Sequence, residues 1–335
     1  MSPLRNVYVG GGTPSIYNAD SLFEILSPLE TKNFSETAEK TCELSPNTAT
    51  LSHIDALAAL KFNRISFGIQ SLSSKLLNRV KRENTKFELI SEFIEYAIKR
   101  GFSVNLDLMV GLPYQTENDL ENSVSKILMT KATEITVYFF RDFSNKFSPE
   151  AQQINLSNAI KSLHVALPKI KNAGWRYIAG DDTTEFHHFI SPNYIGGRQK
   201  YMTRIHGMEN YSVCGFGAYA NGFTPSIAYT CISGNPKFDS TEKRYAVRTF
   251  SRTEQMRLCI CTMLYNENMS LNNDTFKNAF GSNIYSIFRN EIEELLALKK
   301  IKTTTTGFKI TADSFIEAAT LSKFFWAQEW INSKC

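Results

Sequence analysis

The first 140 residues alternate short β-like runs with amphipathic helical patterns, and this order restricts the fold more than any other feature of the chain. Strand–helix–strand repetition requires a parallel sheet, because parallel neighbours can be joined only by a crossover. The strand candidates are Asn6–Val9, Ala38–Leu44, Arg64–Ile69, Ser103–Val110 and Glu134–Phe140. Between them, Ser21-x-x-Glu24 and Thr85-x-x-Glu88 read as capping boxes, Ser52 as the cap of Ile54–Lys61, and Thr116 as the start of a further helix. Pro28 breaks the first helix and Gly101 stops the third.

Right-handed crossovers wind such a sheet into a doubly wound layer or a barrel. The alternation inside the strands favours the barrel. Val104, Leu106, Leu108 and Val110 share one face, against Asn105, Asp107 and Met109 on the other. Ile65, Phe67 and Ile69 similarly oppose Ser66, Gly68 and Gln70. A strand covered by helices on both sides reads as a nearly continuous apolar run. A polar inner face and an apolar outer face under helices explain the pattern, so the expected fold is α/β, an incomplete parallel barrel.

From about Ser148 the alternation stops. Gln153–Leu167 reads as helix, and Gly180–Tyr219 as an irregular segment rich in Gly, His and aromatic residues. Helical patterns return at Thr253–Tyr265, Asn272–Phe280 and Ile284–Leu298, followed by a β-like pair, Ile301–Thr304 and Gly307–Ile310. Three helices and a hairpin suggest a winged-helix-like C-terminal domain. The expected division is therefore 1–147 (partial barrel), 148–247 (a substrate-side extension) and 248–335 (the C-terminal domain).

With 42% hydrophobic and 21% charged residues and a net charge of +4, the 335-residue chain reads as an ordinary globular protein. No dense Lys/Arg block or strongly basic recognition helix points to nucleic acid. No apolar run reaches the ~18 residues of a membrane span, and a polar Met1–Asn6 makes the cytoplasm the default location. The six cysteines form no C-x-x-C or C-x-x-x-C-x-x-C cluster, and Cys259 and Cys261 read as helix core or boundary residues.

A parallel barrel gathers its chemistry at the C-terminal ends of its strands. There the chain places Gly10, Gly11, Gly12 and Thr13 after the first strand, Glu43 at the end of the second, Gln70 at the end of the third and Asp107 near the end of the fourth. Arg82 follows a short helical pattern and can return to the same mouth. Singly, each has a plain alternative: a Gly-rich turn, a structural strand carboxylate, a solvated charge run. Together, backbone N–H groups, two carboxylates, an amide and a guanidinium suit a zwitterion joined to a sugar. His187 and His188, adjacent in sequence, would point to opposite faces of a strand and share no metal, and His206 reads as a surface or core residue.

Four segments, VYVGGGTPS, CELSPNT, RISFGIQSLSSKLLNRVKRENT and VNLDLMVGLPYQT, occur in this order over roughly residues 4–140. They resemble the radical S-adenosylmethionine (SAM) enzymes of the oxygen-independent coproporphyrinogen III oxidase group. CGFGAYANG is similar in outline to a later stretch of the same group. The resemblance implies a (β/α)6-type barrel that binds SAM. Gly11, Gly12 and Thr13 would then meet the methionyl amine, and Glu43, Gln70, Arg82 and Asp107 the methionyl and ribose groups. It also implies a [4Fe–4S] cluster on a C-x-x-x-C-x-x-C loop before GGGTP, which is not found in these residues; as it stands, the chain is expected not to carry out the radical step.

The expected activity is radical oxidoreductase chemistry on a tetrapyrrole-like small molecule, such as oxidative decarboxylation, with flavodoxin or ferredoxin as electron donor. The alternatives are a non-catalytic haem-, porphyrin- or SAM-binding protein, and a haem-degrading or methyl-transferring branch. Tyr194–Tyr219 does not show the H-N-x-x-Y-W pattern of related haem chaperones.

Overall fold

A computed structural model describes residues 3–80, 85–140, 149–179, 186–194, 212–231, 245–266, 269–313 and 315–326. The chain divides into two compact units, residues 1–180 with 185–201, and residues 181–184 with 202–335. Arg82 and His206 lie outside the described residues.

The first unit is built on one seven-stranded sheet, in the order β1 (Leu4–Val9), β2 (Phe34–Leu44), β3 (Arg64–Gln70), β4 (Ser103–Val110), β5 (Glu134–Phe139), β7 (Phe186–Ile190), β6 (Arg176–Ala179). The first five are parallel in sequence order, and β7 and β6 then extend the sheet antiparallel. All five expected strands are therefore present, while the segment read as irregular contains β7. Its FHHFI sequence offers no period-2 contrast to read. Only pairing with β5 reveals the strand: Val137 lies opposite His187 and Thr136 opposite His188.

The intervening helices are α1 (Ala19–Leu26), α2 (Leu51–Ala59), α3 (Ser74–Arg79), α4 (Phe87–Lys99), α5 (Glu117–Leu128) and α6 (Pro149–Asn172). Ile54 and Leu57 of α2, Phe93 and Ile94 of α4, Val124 and Ile127 of α5 and Leu163 of α6 join one core with Ile65, Phe67, Val104, Leu106, Leu108 and Val137. The helices thus cover the apolar strand face, and Ser66, Asn105, Asp107 and Thr136 are left on the other. This one-sided cover is the arrangement of a barrel wall and not of a doubly wound sheet. Each buried Leu, Ile, Val or Phe side chain contributes about 1.5–3 kcal/mol, which makes this the main stabilising layer.

Three helix caps differ from expectation. Asn18, not Ser21, caps α1 by accepting from Ser21 N at 2.8 Å. Thr50 and His53, not Ser52, form the box at α2: Thr50 N donates to His53 Nδ1 at 3.1 Å, and His53 Nε2 donates to the Tyr17 carbonyl at 2.7 Å. Lys86 precedes α4 with no side-chain cap, and Thr85 instead hydrogen-bonds Asn47. At α1 and α2 the acting cap lies a few residues from the expected one, and at α4 the expected Thr85 is drawn to Asn47 and no side chain caps the helix. The expected Thr116 cap is present, with Asp119 completing its box, and Gly101 ends α4 with φ +86°.

The second unit contains a three-stranded antiparallel sheet of β8 (Asn221–Phe223), β9 (Ile227–Cys231) and β10 (Tyr245–Thr249). A helical portion follows: α7 (Arg252–Asn266), β11 (Ser270–Asn272), α8 (Asn273–Phe280), α9 (Ile284–Ile287), α10 (Arg289–Ala297), β12 (Ile301–Thr304), β13 (Gly307–Ile310) and α11 (Phe315–Ser322). The hairpin strands coincide with the expected ones, and β11 adds a third strand beside β13. A Cβ on Gly307 would stand 2.1 Å from the Leu271 carbonyl oxygen, so this close pairing requires glycine. The single helix expected over Ile284–Leu298 is two, interrupted at Phe288, whose ring is buried in the core of this unit. Cys259 lies in the same core, and burial pushes the Cys261 thiol up to about 12. Among the described residues no helix is long and apolar enough to cross a membrane.

Candidate functional site

The glycine run leaves β1 where Val9 pairs with Cys42, which brings Gly10 beside Glu43. The approach is tight: a Cβ on Gly10 would lie 2.6 Å from the Glu43 carboxylate. Gly11 and Gly12 differ, because a Cβ on either meets nothing within 4 Å. Their backbone borders open space, and Gly11 has φ +82°, a conformation that favours glycine. Gly11 N donates weakly to Glu43 Oε2 at 3.4 Å. The Tyr8 hydroxyl donates to Glu43 Oε1 at 2.5 Å, and burial, then the adjacent Glu43 charge, holds the phenol far above its usual pKa. Thr13 precedes a short 3-10 turn, Pro14–Ile16, and makes no side-chain cap bond there.

Gln70 ends β3 with φ +60°, uncommon for a residue with a side chain. Ser71 N donates to the Ile69 carbonyl at 2.6 Å across it, closing a three-residue turn. The Gln70 amide folds back so closely that a Cβ on Gly68 would lie 2.9 Å from its Nε2. A cavity of about 200 Å³ opens here, lined by Ser45, Asn47, Gly68, Gln70, Ser71 and Thr85 among others. Strain of this kind persists where the surrounding structure holds it, and it clusters at ligand sites.

Asp107 lies on the polar face opposite Gly68 on one side and Thr136 on the other. Its Oδ2 accepts from Ser66 Oγ at 2.9 Å and its Oδ1 from Asn105 Nδ2 at 2.7 Å. Burial raises its pKa to about 6, and the hydrogen bonds from Ser66 and Asn105 and the charge of Arg64 only partly offset that. Sequence reasoning placed Asp107 at this mouth but missed the residues beneath it. Thr136 Oγ1 donates to Asn105 Oδ1 at 2.8 Å and lies 3.0 Å from His188 Nδ1. His188 Nε2 lies 3.4 Å from Glu134 Oε2, and Arg64 Nη2 donates to that same oxygen at 2.8 Å. Arg64 and Glu134 are both almost fully buried. Burial opposes the Arg64 charge, but Glu134 outweighs it and the pKa moves up; the charges of Arg64 and His188 likewise outweigh burial and lower Glu134. The only signal for this network was the polar register of β3, β4 and β5. His187 and His188 do face opposite ways: His187 Nδ1 lies 2.7 Å from the Tyr177 hydroxyl.

The sequence of residues 1–127 matches the model of the radical SAM superfamily. Over these residues the chain is similar to that superfamily, and its relatives place the likeness in the coproporphyrinogen III oxidase-like group. The chain is 26% identical over 329 residues to the haem chaperone HemW of Lactococcus lactis, covering 94% of its own length and 84% of the relative's. It is 31% identical over 134 residues to an oxygen-independent coproporphyrinogen III oxidase of Helicobacter pylori, but spans only 29% of that relative. Its fold is similar to that of the Escherichia coli coproporphyrinogen III oxidase HemN, with a TM-score of 0.78 at 20% identity over 96% of this chain and 77% of the other.

The two groups implied by the superfamily fit these residues differently. SAM needs room beside backbone N–H groups and carboxylates for its ammonium and ribose hydroxyls. The open edge of Gly11 and Gly12, flanked by Glu43 and with Asp107 on the same polar face, has that character. A [4Fe–4S] cluster needs three converging thiolates. Cys42 is buried in β2 with its thiol pushed up to about 12 by burial, and Cys214, Cys231, Cys259 and Cys261 are scattered. Among the described residues no three His, Cys, Asp or Glu side chains could hold a metal. The described residues do not fit the cluster.

Proposed function

We propose that the first unit binds SAM at the C-terminal ends of β1 to β4, and that the protein serves radical SAM chemistry on a tetrapyrrole-like substrate. The observation that carries this is the contrast within the glycine run: Gly10 packed against Glu43, Gly11 and Gly12 facing open space. Glu43, fixed by Tyr8, would accept from the ammonium or a ribose hydroxyl. Asp107, fixed by Ser66 and Asn105, would accept from a hydroxyl. Gln70, held at the mouth by its turn, would orient the methionyl end, with Thr13 and Arg82 completing the recognition. Bound there, SAM would be the source of the family's radical or methyl chemistry, given an electron source that the described residues do not themselves hold. The division into barrel (1–147), substrate-side extension (148–247) and winged-helix-like domain (248–335) remains part of this proposal.

A second reading is a haem-binding role without turnover. It draws on the near full-length match to a protein named as a haem chaperone, against the partial match to the Helicobacter oxidase. Equilibrium dialysis with SAM and titration with haemin, followed at the Soret band, separate the two. Under the first reading SAM binds, and Gly10→Ala weakens binding at least tenfold by displacing the Glu43 carboxylate (about 1.4 kcal/mol per decade). Soret binding in the absence of SAM binding would overturn the first reading in favour of the second.

A further inference from the structure

We propose that Asn105 and Thr136 are positioning residues that hold the Asp107 carboxylate in one orientation at the cofactor mouth, with His188 and the Arg64–Glu134 pair as their anchor. The role in ligand recognition rests on reading Asp107 as a cofactor-contacting group; the positioning itself rests on the hydrogen-bond order. An Asn amide can be placed either way round, and its partners decide which. The Asp107 carboxylate only accepts, so the Asn105 Nδ2 group must face it at 2.7 Å, with Ser66 Oγ at 2.8 Å, and the Asn105 Oδ1 thus turned away accepts from the Thr136 hydroxyl at 2.8 Å, which locks the amide. With its own proton committed to Asn105, the Thr136 oxygen accepts from His188 Nδ1. The other ring nitrogen faces Glu134, whose carboxylate Arg64 engages through both Nε and Nη2.

The links from Asp107 to His188 Nδ1 are hydrogen bonds of 2.7–3.0 Å, the His188–Glu134 contact is a looser 3.4 Å, and all are placed by strand register. Asn105 pairs with Ser66 on one side and Glu134 on the other, and Thr136 pairs with Asp107 and His188. Two neighbouring inward rows of the sheet therefore interlock diagonally. The anchor is a charged cluster at the N-terminal end of the strands, and the free end of the chain is the carboxylate at the C-terminal mouth. The groups facing Asp107 are Arg64, Glu43, Tyr8 and Tyr138 besides Ser66 and Asn105, and Tyr138 also lies against Thr136. Ser66 and Asn105 each donate to one oxygen of the carboxylate, so loss of either weakens its hold.

The test is Thr136→Val, which removes the hydroxyl at nearly constant shape, against Thr136→Ser, which keeps it. The Asp107 carboxyl is followed by 13C NMR with aspartate labelling, assigned by its absence in Asp107→Asn, and SAM binding is measured over the same pH range. In the wild type the carboxyl should titrate near 6. In Thr136→Val its midpoint rises and SAM affinity near that pH falls by about tenfold, while affinity two units higher changes little. Thr136→Ser behaves as wild type. Should Thr136→Val fail to fold, the Asn105 Nδ2 amide resonances of the wild type should follow the Asp107 titration. A midpoint equal in the valine and serine variants, or Asn105 resonances that ignore the titration, would overturn the proposal. Should SAM not bind the wild type, the cofactor reading falls, while the carboxyl titration still decides the positioning.

Discussion

The two ends of the polar sheet face use the same residue types to opposite effect. At the N-terminal end, Glu134 is closed off by a bidentate Arg64 and by His188, and its pKa is lowered. At the C-terminal end, the partners seen for Glu43 and Asp107 among the described residues are neutral: Tyr8, a backbone N–H, Ser66 and Asn105. Asp107 is left with its pKa raised to about 6, mainly by burial. The closed end is completed from within the fold. The open end keeps carboxylates that a bound cation or hydroxyl would complete, and a raised pKa such as that of Asp107 is often found at a functional site.

The largest expected effect comes from breaking the closed end. Arg64→Met leaves Glu134 buried without its main countercharge and should cost about 3–5 kcal/mol of stability in urea unfolding. Adding Glu134→Gln should recover part of that loss, since the stranded charge is then removed. If Arg64→Met alone costs under about 1 kcal/mol, the pair is not the anchor described.

The pH dependence of the two ends should differ in sign. The native pKa of Asp107, about 6, exceeds the ordinary 3.8, so the native state holds a proton that the unfolded chain has released between those values. The stabilisation from Asp107 is full below the ordinary value and is lost as pH rises toward 6. Asp107→Asn should therefore stabilise the protein at about pH 7 by at most about 3 kcal/mol, with little gain at about pH 3.5. Glu134 does the reverse: its lowered pKa contributes stability above the ordinary glutamate value, lost as pH falls through the native pKa. Thermal unfolding across that range, with the two residues varied separately, resolves the signs. A gain from Asp107→Asn that persisted unchanged in acid would contradict the open-end assignment.

The smallest effect is a control at a helix cap that makes none of the proposed contacts. Asn18→Ala removes the α1 cap and should cost about 1 kcal/mol, with no change in pH dependence or ligand binding. A change in either would mean that the mouth and α1 are coupled in a way the hydrogen bonds do not show.

Much of the candidate site was legible in sequence because its residues end successive strands. Once Val104 to Val110 was assigned an apolar and a polar face, Asp107 had to lie on the polar one, and the abrupt end of VYV in three glycines placed Gly10 to Gly12 beside the next strand's terminus. The caps at α1 and α2 were less legible, since Ser21 and Ser52 satisfy the same local pattern as the residues that act, and Thr85 before α4 is instead bonded to Asn47. The strand FHHFI was invisible for a further reason: its polar histidines face both ways, His188 meeting Thr136 and lying beside Glu134 on one side and His187 meeting Tyr177 on the other.

The sequence by itself determined the parallel strands, the side of the sheet that helices cover and the short set of polar residues at its mouth, because side-chain alternation and strand ends are local properties. Only the tertiary structure decided that Asp107 is tied through Asn105, Thr136 and His188 to a buried Arg64–Glu134 pair. Those residues are as much as 124 positions apart (188 − 64), and register, which no local pattern encodes, is what brings them within hydrogen-bonding distance.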